Sequence, residues 1–264
     1  MKVAILGPEG TYTHQAADQY FGEELEPVFY STIAEVFNSE ETKKIIPIEN
    51  TLGGDVEESI EQFQQKDDLK IKAEQTIPIN HCLISNEGLE DIEVVKSHPQ
   101  ALSQCQGYIK NKGWTKKETG STAQAVTQLE DGEAAIASEI AAKINQKSII
   151  EENIQDNQQN QTRFFIIQAG KDQEEVQEPE KTSLIIEPEE DRPGILHEIL
   201  GKFAEKEINL THIQSRPKKT QLGEYYFYIE ANIKNKTQGF QEAEKQTRNI
   251  ADIKKLGKYP TGDK

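Results

Sequence analysis

The chain has 264 residues, 34% of them hydrophobic, and a formal net charge of −16 from 46 acidic and 30 basic side chains. That length can bury a sizeable core and points to two domains, while so acidic a chain argues against nucleic acid as a partner. No leader opens the sequence and no apolar run is long enough to span a bilayer, so the expectation is a cytoplasmic protein with no membrane partner.

The apolar runs are well formed, so the low hydrophobic fraction reflects a surface rich in Glu, Gln and Lys. The acidic excess reads as a solvated surface, with adaptation to high salt as the alternative. Cys82 and Cys105 have no metal-ligand spacing and form no disulfide framework. Both fall in apolar patterns and read as small core residues.

Residues 2–6 form a mostly apolar strand. The turn Gly7-Pro8-Glu9-Gly10-Thr11-Tyr12-Thr13 follows, then a helix from about 14 to 21. A strand, a glycine-containing turn and a helix start make a generic anion site. The spacing is neither a Walker loop nor GxGxxG, so no nucleotide is implied, and Thr11 and Thr13 can equally serve as caps. Residues 28–30 are a short strand, and Ser31 or Thr32 caps a helix over 33–37. Residues 44–48 are a strand ending in Glu49-Asn50-Thr51-Leu52-Gly53-Gly54, with a helix over about 56–64. Three strand–turn–helix units in a row predict a parallel sheet with crossover helices. Ligands sit beyond the carboxyl ends of such strands, where Thr11, Asn50 and Thr51 would lie.

Residues 69–73 alternate apolar and polar like a half-buried strand. The extended stretch continues over 77–84 past Pro78, long enough to leave one lobe and enter another. A strand over 92–95 then ends at Ser97-His98-Pro99-Gln100, and Pro99 suits the first turn of a helix running through Leu102, Cys105 and Tyr108. His98 has a titratable ring, with capping or packing as the alternative. Gly120-Ser121-Thr122-Ala123 caps a helix to Leu129. Residues 134–137 form a strand, and Ser138 caps a helix through Ile144. An acidic, Gln-rich loop over 151–161 delivers the chain to Thr162-Arg163-Phe164 and a buried strand, 164–167. The expected result is two α/β lobes, about 1–76 with 162–176 and 77–161, with Thr162 and Arg163 at the hinge.

Arg163 is the only arginine before Arg192. A guanidinium grips a carboxylate bidentately, which lysine cannot; the plainer alternative is a surface ion pair. The cleft would be lined by helix starts carrying Thr11, Asn50, Thr51, Ser97, Ser121 and Thr122, and with Arg163 these suit a small polycarboxylate. After Gln168 the composition changes. Residues 170–181 read as a linker, followed by a strand (182–186), a helix opened by Asp191-Arg192-Pro193-Gly194, strands over 208–213 and 225–231, a helix over 240–250 and a strand over 253–256. The order βαββαβ is ferredoxin-like.

Gly7-Pro8-Glu9-Gly10-Thr11-Tyr12-Thr13-His14, Pro47-Ile48-Glu49-Asn50-Thr51, Ser97-His98-Pro99-Gln100-Ala101-Leu102, Ser121-Thr122-Ala123 and Thr162-Arg163-Phe164 resemble, in order, the motifs of the prephenate dehydratase family. The resemblance implies a catalytic domain over 1–176, similar to type II periplasmic binding proteins. It also implies conversion of prephenate to phenylpyruvate, with loss of CO2 and water, in phenylalanine biosynthesis. No metal or organic cofactor is expected. Thr162 takes the catalytic role by resemblance, Arg163 and Phe164 complete its motif, and Glu49, Asn50, Ser97 and Gln104 fall on active-site positions. Thr51 stands where many relatives have serine.

Residues 182–264 resemble an ACT regulatory domain. Gly194-Ile195-Leu196 replaces Gly-Ala-Leu, and Gln214-Ser215-Arg216-Pro217 replaces Glu-Ser-Arg-Pro. These motifs imply feedback inhibition by L-phenylalanine at an interface of a homodimer or homotetramer. Ile195 adds bulk and Gln214 removes a charge, so a dimerisation domain that no longer binds effector is the alternative. For the whole chain, the alternatives are an arogenate dehydratase and a non-catalytic binding protein for a small carboxylate. The surface reading has its own check: a melting temperature that does not rise with added KCl is expected, and a rise would favour salt adaptation.

Overall fold

The computed structural model describes residues 1–170, 176–218 and 224–262, so 171–175 of the expected linker lie outside the described residues. The first elements are β1 (Lys2–Leu6), α1 (Tyr12–Phe21), β2 (Glu26–Tyr30), α2 (Ile33–Asn38), β3 (Lys43–Asn50), β4 (Gly54–Asp55), α3 (Glu57–Gln65) and β5 (Leu69–Pro78). Next come β6 (Cys82–Ser85), β7 (Val94–Ser97), α4 (Pro99–Gln104), α5 (Gln106–Lys112), β8 (Thr115–Glu118), α6 (Thr122–Thr127), β9 (Glu133–Ala137), α7 (Glu139–Ile144), β10 (Ser148–Glu151) and β11 (Gln161–Ala169). The last are β12 (Lys181–Pro188), α8 (Ile195–Ala204), β13 (Asn209–Pro217), β14 (Tyr225–Asn232), α9 (Thr237–Thr247) and β15 (Ala251–Tyr259). The fold is mixed α/β and packs as two compact units, 1–59 with 75–164 and 60–74 with 165–264.

In the first unit β1 pairs in parallel with both β2 and β3, as the repeated strand–turn–helix pattern requires. Val3, Ala4, Ile5, Ile45 and Ile46 are wholly buried, as expected of parallel strands covered on both faces. Thr32 caps α2 in a capping box with Glu35, each side chain satisfying the other's backbone N–H. The strand order of this sheet is β2-β1-β3-β11-β5, with β4 paired to β3.

A second sheet, β10-β6-β9-β7-β8, lies wholly in the first unit. It is mixed: β7 pairs in parallel with β8 and β9, while β6 pairs antiparallel with β9 and β10. The four residues 134–137 show why β9 reads as a continuous apolar run. Ala134 and Ile136 pack with Leu102, Cys105 and Ile109. Ala135 and Ala137 point to the opposite face and pack with Val126 and Ala141. Burial pushes the Cys82 thiol up to about 11 and the Cys105 thiol up to about 12, so both stay protonated core groups.

Three strands were not expected: β4, β8 and β10. β8 is Thr-Lys-Lys-Glu and fully exposed, so it carries no apolar alternation to read. The helix expected to run through Leu102 and Tyr108 breaks at Cys105 (φ −113°, ψ 22°) into α4 and α5.

In the second unit β12, α8, β13, β14, α9 and β15 follow the ferredoxin-like order, and the strands pair antiparallel as β13-β14-β12-β15. Leu184, Ile186 and Ile229 from the sheet bury against Ile199 and Phe203 of α8 and Phe240 of α9. No helix among the described residues is long and apolar enough to cross a membrane.

Gly257 of β15 leaves no room for a side chain, because an added Cβ would stand 2.3 Å from the Ile71 carbonyl oxygen. Gly201, inside α8, would meet nothing within 4 Å. Urea unfolding should therefore show Gly257→Ala destabilising the chain by about 2–3 kcal/mol, since backbone cannot yield as a side chain does. Gly201→Ala should stabilise it by roughly 0.5–1 kcal/mol.

Candidate active site

The first unit contains a cavity of about 590 Å³. Both of its sheets contribute. Thr11 and Tyr12 stand at the start of α1, Asn50 at the end of β3, Gln104 at the end of α4, Ser121 and Thr122 at the start of α6, and Thr162 and Phe164 on β11. Of the residues expected at the cleft, Thr11, Asn50, Gln104, Ser121, Thr122, Thr162 and Phe164 line this cavity, whereas Glu49, Thr51, Ser97 and Arg163 are not in its wall.

The local bonds explain that division. Ser97 is wholly buried and its hydroxyl donates to the Ile136 carbonyl at 2.6 Å, which ties β7 to β9. The Thr51 hydroxyl exchanges bonds with the Gln161 backbone, donating to its carbonyl at 3.2 Å and accepting from its N–H at 3.3 Å. Thr11 and Ser121 cap α1 and α6, accepting from the backbone N–H groups of His14 and Gln124. His98 caps α4, its Nδ1 accepting from the Gln100 N–H.

Asn50 is the most constrained polar side chain in the wall. Its Oδ1 accepts from the backbone N–H groups of Leu52 at 3.0 Å and Gly53 at 2.8 Å. That fixes which end of the amide is oxygen. Its Nδ2 must then be the donor toward Thr162 Oγ1 (2.8 Å), Asn160 Oδ1 (2.9 Å) and the Gln161 carbonyl (3.1 Å). Thr162 Oγ1 is thereby an acceptor toward Asn50, and its own proton is left to point elsewhere.

Two further residues of the wall, His81 and Asn160, are buried to 2% exposure. His81 Nε2 lies 2.7 Å from Gln104 Oε1, and its Nδ1 lies 2.8 Å from the Tyr12 hydroxyl. Burial lowers the His81 pKa, and the hydrogen bond to Gln104 opposes that shift. Neither residue was assigned a role from the sequence. The available signal was a histidine set into the extended apolar stretch 77–84, and an asparagine two residues before Thr162.

Arg163 donates from Nε (3.2 Å) and Nη2 (2.9 Å) to one oxygen of Glu49, Oε2. The pair joins the ends of β3 and β11. Arg163 is largely covered and Glu49 is open to solvent.

In the second unit Gly194 holds a left-handed turn (φ +88°) ahead of α8, a conformation only glycine adopts without strain. Ile195 is part of the apolar core and Leu196 packs against that core, so the extra bulk of Ile195 is spent on core packing. Ser215 lines a separate cavity of about 230 Å³ with Glu189, Lys218, Tyr225 and Phe227. Gln214 Oε1 is buried with no hydrogen-bond partner among the described residues. Arg216 Nη2 donates to Glu61 Oε1 at 2.7 Å, and Pro217 ends β13.

A family model described as prephenate dehydratase matches residues 3–172, and one described as ACT domain matches 183–248. A prephenate dehydratase of Methanocaldococcus jannaschii is 38% identical over 97% of this chain and 97% of that one. The crystal structure of the prephenate dehydratase from Staphylococcus aureus covers 98% of this chain and 100% of its own at TM-score 0.87 and 31% identity. That of the enzyme from Arthrobacter aurescens in complex with L-Phe covers 100% and 91% at TM-score 0.89 and 28% identity.

The lowered His81 pKa has a sign that can be checked. The unfolded chain holds a proton on this ring up to the ordinary histidine range, whereas the folded chain sheds it earlier on the way up in pH. Stability therefore falls as pH drops through the ordinary histidine pKa of about 6.5. His81→Gln removes that term, so urea midpoints between pH 7 and pH 5 should decline less in the variant than in the wild type.

Proposed function

The chain belongs to the prephenate dehydratase family, and we propose that it converts prephenate to phenylpyruvate as a carbon–oxygen lyase. The observation that carries this reading is the Asn50–Thr162 bond at the wall of the cavity. In the reaction the bond from the ring to its carboxylate breaks and CO2 leaves. The freed electron pair moves through the ring and expels the ring hydroxyl, which takes up one proton and departs as water. A threonine hydroxyl is too weak an acid to hand over its proton outright at neutral pH. It can hydrogen-bond the departing oxygen, and the Asn50 N–H that it accepts polarises it for that purpose.

Asn50, Thr162 and Phe164 are assigned to the reacting end of the substrate. Thr11, Gln104, Ser121 and Thr122 are assigned to its binding. Glu49 and Arg163 are assigned to holding the strand mouths that carry Asn50 and Thr162, and Thr51 supports them by bonding Gln161. For Ser97 the same reading leaves a positioning role at the base of α4, since its hydroxyl is occupied by Ile136.

The reading extends to regulation. Residues 1–176 are taken as catalytic and 182–264 as regulatory, with L-phenylalanine as inhibitor through the Gly194–Leu196 turn and the strand from Gln214 to Pro217. The complex of the Arthrobacter aurescens relative with L-Phe supports this. A homodimer or homotetramer belongs to the same reading. It is supported by Ile213 and Tyr225, which stand 45% and 46% exposed on β13 and β14.

Phenylpyruvate formation tests the whole. Wild-type chain should turn prephenate over, with L-phenylalanine suppressing the rate. Thr162→Ala should lose about 10²–10³-fold in kcat with KM nearly kept. An unaltered kcat in Thr162→Ala would sink its assignment. Turnover of arogenate in place of prephenate would move the substrate to the amino analogue, and binding without turnover would make the chain a receptor.

A further inference from the structure

We propose that His81 takes up a proton when prephenate binds, and that the imidazolium so formed offsets part of the charge of the substrate's two carboxylates. The inference rests on the prephenate dehydratase reading. Among the described residues, the wall of the cavity holds no lysine or arginine. A dianion drawn out of water into such a cavity needs a compensating charge.

The hydrogen bonds around the ring give it two acceptors and no donor. On one side, the Tyr12 hydroxyl donates its single proton to the Asn80 carbonyl at 2.8 Å. A carbonyl cannot donate in return, so Tyr12 Oη, 2.8 Å from Nδ1, can only accept from the ring. On the other side, the direction is set from Asn50. The Leu52 and Gly53 N–H groups hold its Oδ1, so its Nδ2 donates to Asn160 Oδ1 at 2.9 Å. Asn160 then presents its NH2 to Gln104 Oε1 at 3.3 Å and keeps that atom an acceptor. The same oxygen stands 2.7 Å from His81 Nε2.

A neutral imidazole carries one N–H, and an imidazolium carries two. The neutral ring satisfies Tyr12 or Gln104 and sets its bare nitrogen against an oxygen at the other. The protonated ring satisfies both without moving. The site is thus shaped for the cation. The ring is also held in place: the His81 N–H donates to Gln155 Oε1 at 2.8 Å, its carbonyl accepts from the Ile154 N–H at 3.0 Å, and Tyr12 meets the ring edge-on at 5.6 Å.

Burial withholds the second proton from the free chain, since it lowers the pKa of this ring while the bond to Gln104 opposes the shift. The neighbouring elements supply no cation of their own. Burial holds Tyr12 of α1, Cys82 beside the ring and Cys105 at the end of α4 above their ordinary pKa values, so all three stay neutral. Glu152 and Asp156 of the 151–161 loop and Asp55 of the cavity wall are carboxylates, and His98 is the other histidine of that wall. A dianion entering the cavity adds negative charge beside His81 and favours the charged ring. Both N–H groups remain on Tyr12 and Gln104, so the charge acts on the substrate without gripping either carboxylate.

The sign follows from linkage. A ring whose pKa is higher in the complex than in the free chain makes affinity greatest at low pH, and that gain is lost as pH rises through the pKa of the complex. Prephenate binding is measured by calorimetry at pH 7.5 in PIPES and in Tris, whose different ionisation enthalpies reveal protons taken from the buffer. Thr162→Ala is the background, which keeps the heat of turnover out of the signal. It should take up about half a proton or more on binding, and its Kd should rise about threefold or more between pH 6.5 and pH 8.5. Adding His98→Gln should leave the uptake in place. Adding His81→Gln should reduce it below about 0.1 proton and flatten the pH dependence of Kd. In carbon-13 spectra the His81 ring, assigned by its loss in His81→Gln, should move to the imidazolium position when prephenate is added.

Uptake that persists in the His81→Gln background would assign the proton elsewhere and overturn the proposal, as would a His81 ring that stays neutral in the complex. If His81→Gln does not fold, Tyr12→Phe decides the matter. It removes the acceptor at Nδ1 and should at least halve the uptake, so undiminished uptake would overturn the proposal. A wild type that neither binds nor turns over prephenate would defeat the functional reading and this inference together. An active wild type whose binding exchanges no proton with the buffer would defeat this inference alone.

Discussion

The orientation of one amide, that of Asn50, governs the polar half of the cavity. A carboxamide has a donor end and an acceptor end of nearly equal size, and a buried one left unconstrained would leave its neighbours undefined too. Here the tight turn after β3 turns the Leu52 and Gly53 N–H groups onto Asn50 Oδ1. The turn is local, running only from Asn50 to Gly53. Sequence therefore determines the amide's direction within four residues. Everything downstream inherits it: Thr162 as acceptor, Asn160 as a fixed dipole, and a Thr162 hydroxyl proton that is not used on Asn50.

Much of this was legible before any coordinates. The parallel sheet came from three repeated units, and the ferredoxin-like order came from the spacing of apolar runs. Thr11, Asn50, Ser121, Thr122 and Thr162 converge on one cavity because they lie at strand ends and helix starts, which sequence can locate, and Gln104 at the end of α4 and Phe164 on β11 join them. Ser97 lies at such an end too, yet its side chain alternates to the inner face of β7, and one step of pleat separates wall from core. Arg163 stood out by rarity, and rarity did not tell that its nearest carboxylate would be Glu49 of the neighbouring strand. The 151–161 loop is legible in the sequence only as acidic and Gln-rich. Gln155 and Asn160 within it are buried and bonded, because the loop folds back over His81 and buried polar groups must find partners in the protein.

The second unit repeats the lesson with a different outcome. A βαββαβ order fixes which residues face the helices, so Ile195 enters the core beside Ile199 and Phe203. Ile195, which replaces the alanine of the resembled motif, is then first a packing change, felt by its neighbours through volume. Gln214 is different. Its oxygen is buried without a partner among the described residues, a state that costs free energy and is relieved by any donor brought to it. The two departures from the family pattern in this unit therefore act through different physics, one through shape and one through an unmet acceptor.

The charges around the cavity bear on the proposed reaction. The chain carries −16 overall, and the polar groups that line the cavity are mostly hydroxyls and amides, with Asp55 the carboxylate among them and His81 a ring whose pKa burial lowers. The one arginine of the first unit has two of its N–H groups on Glu49. A bare cation set against the ring carboxylate would stabilise the ground state and oppose loss of CO2, because the negative charge it grips is the charge that must leave. Neutral donors placed where the hydroxyl departs do the opposite. They gain strength as negative charge arrives at that oxygen. Under the proposed reaction, the pairing of Arg163 with Glu49 therefore works with the neutral lining of the cavity. It keeps a guanidinium near the strand mouth while damping the field that would otherwise hold the carboxylate in place.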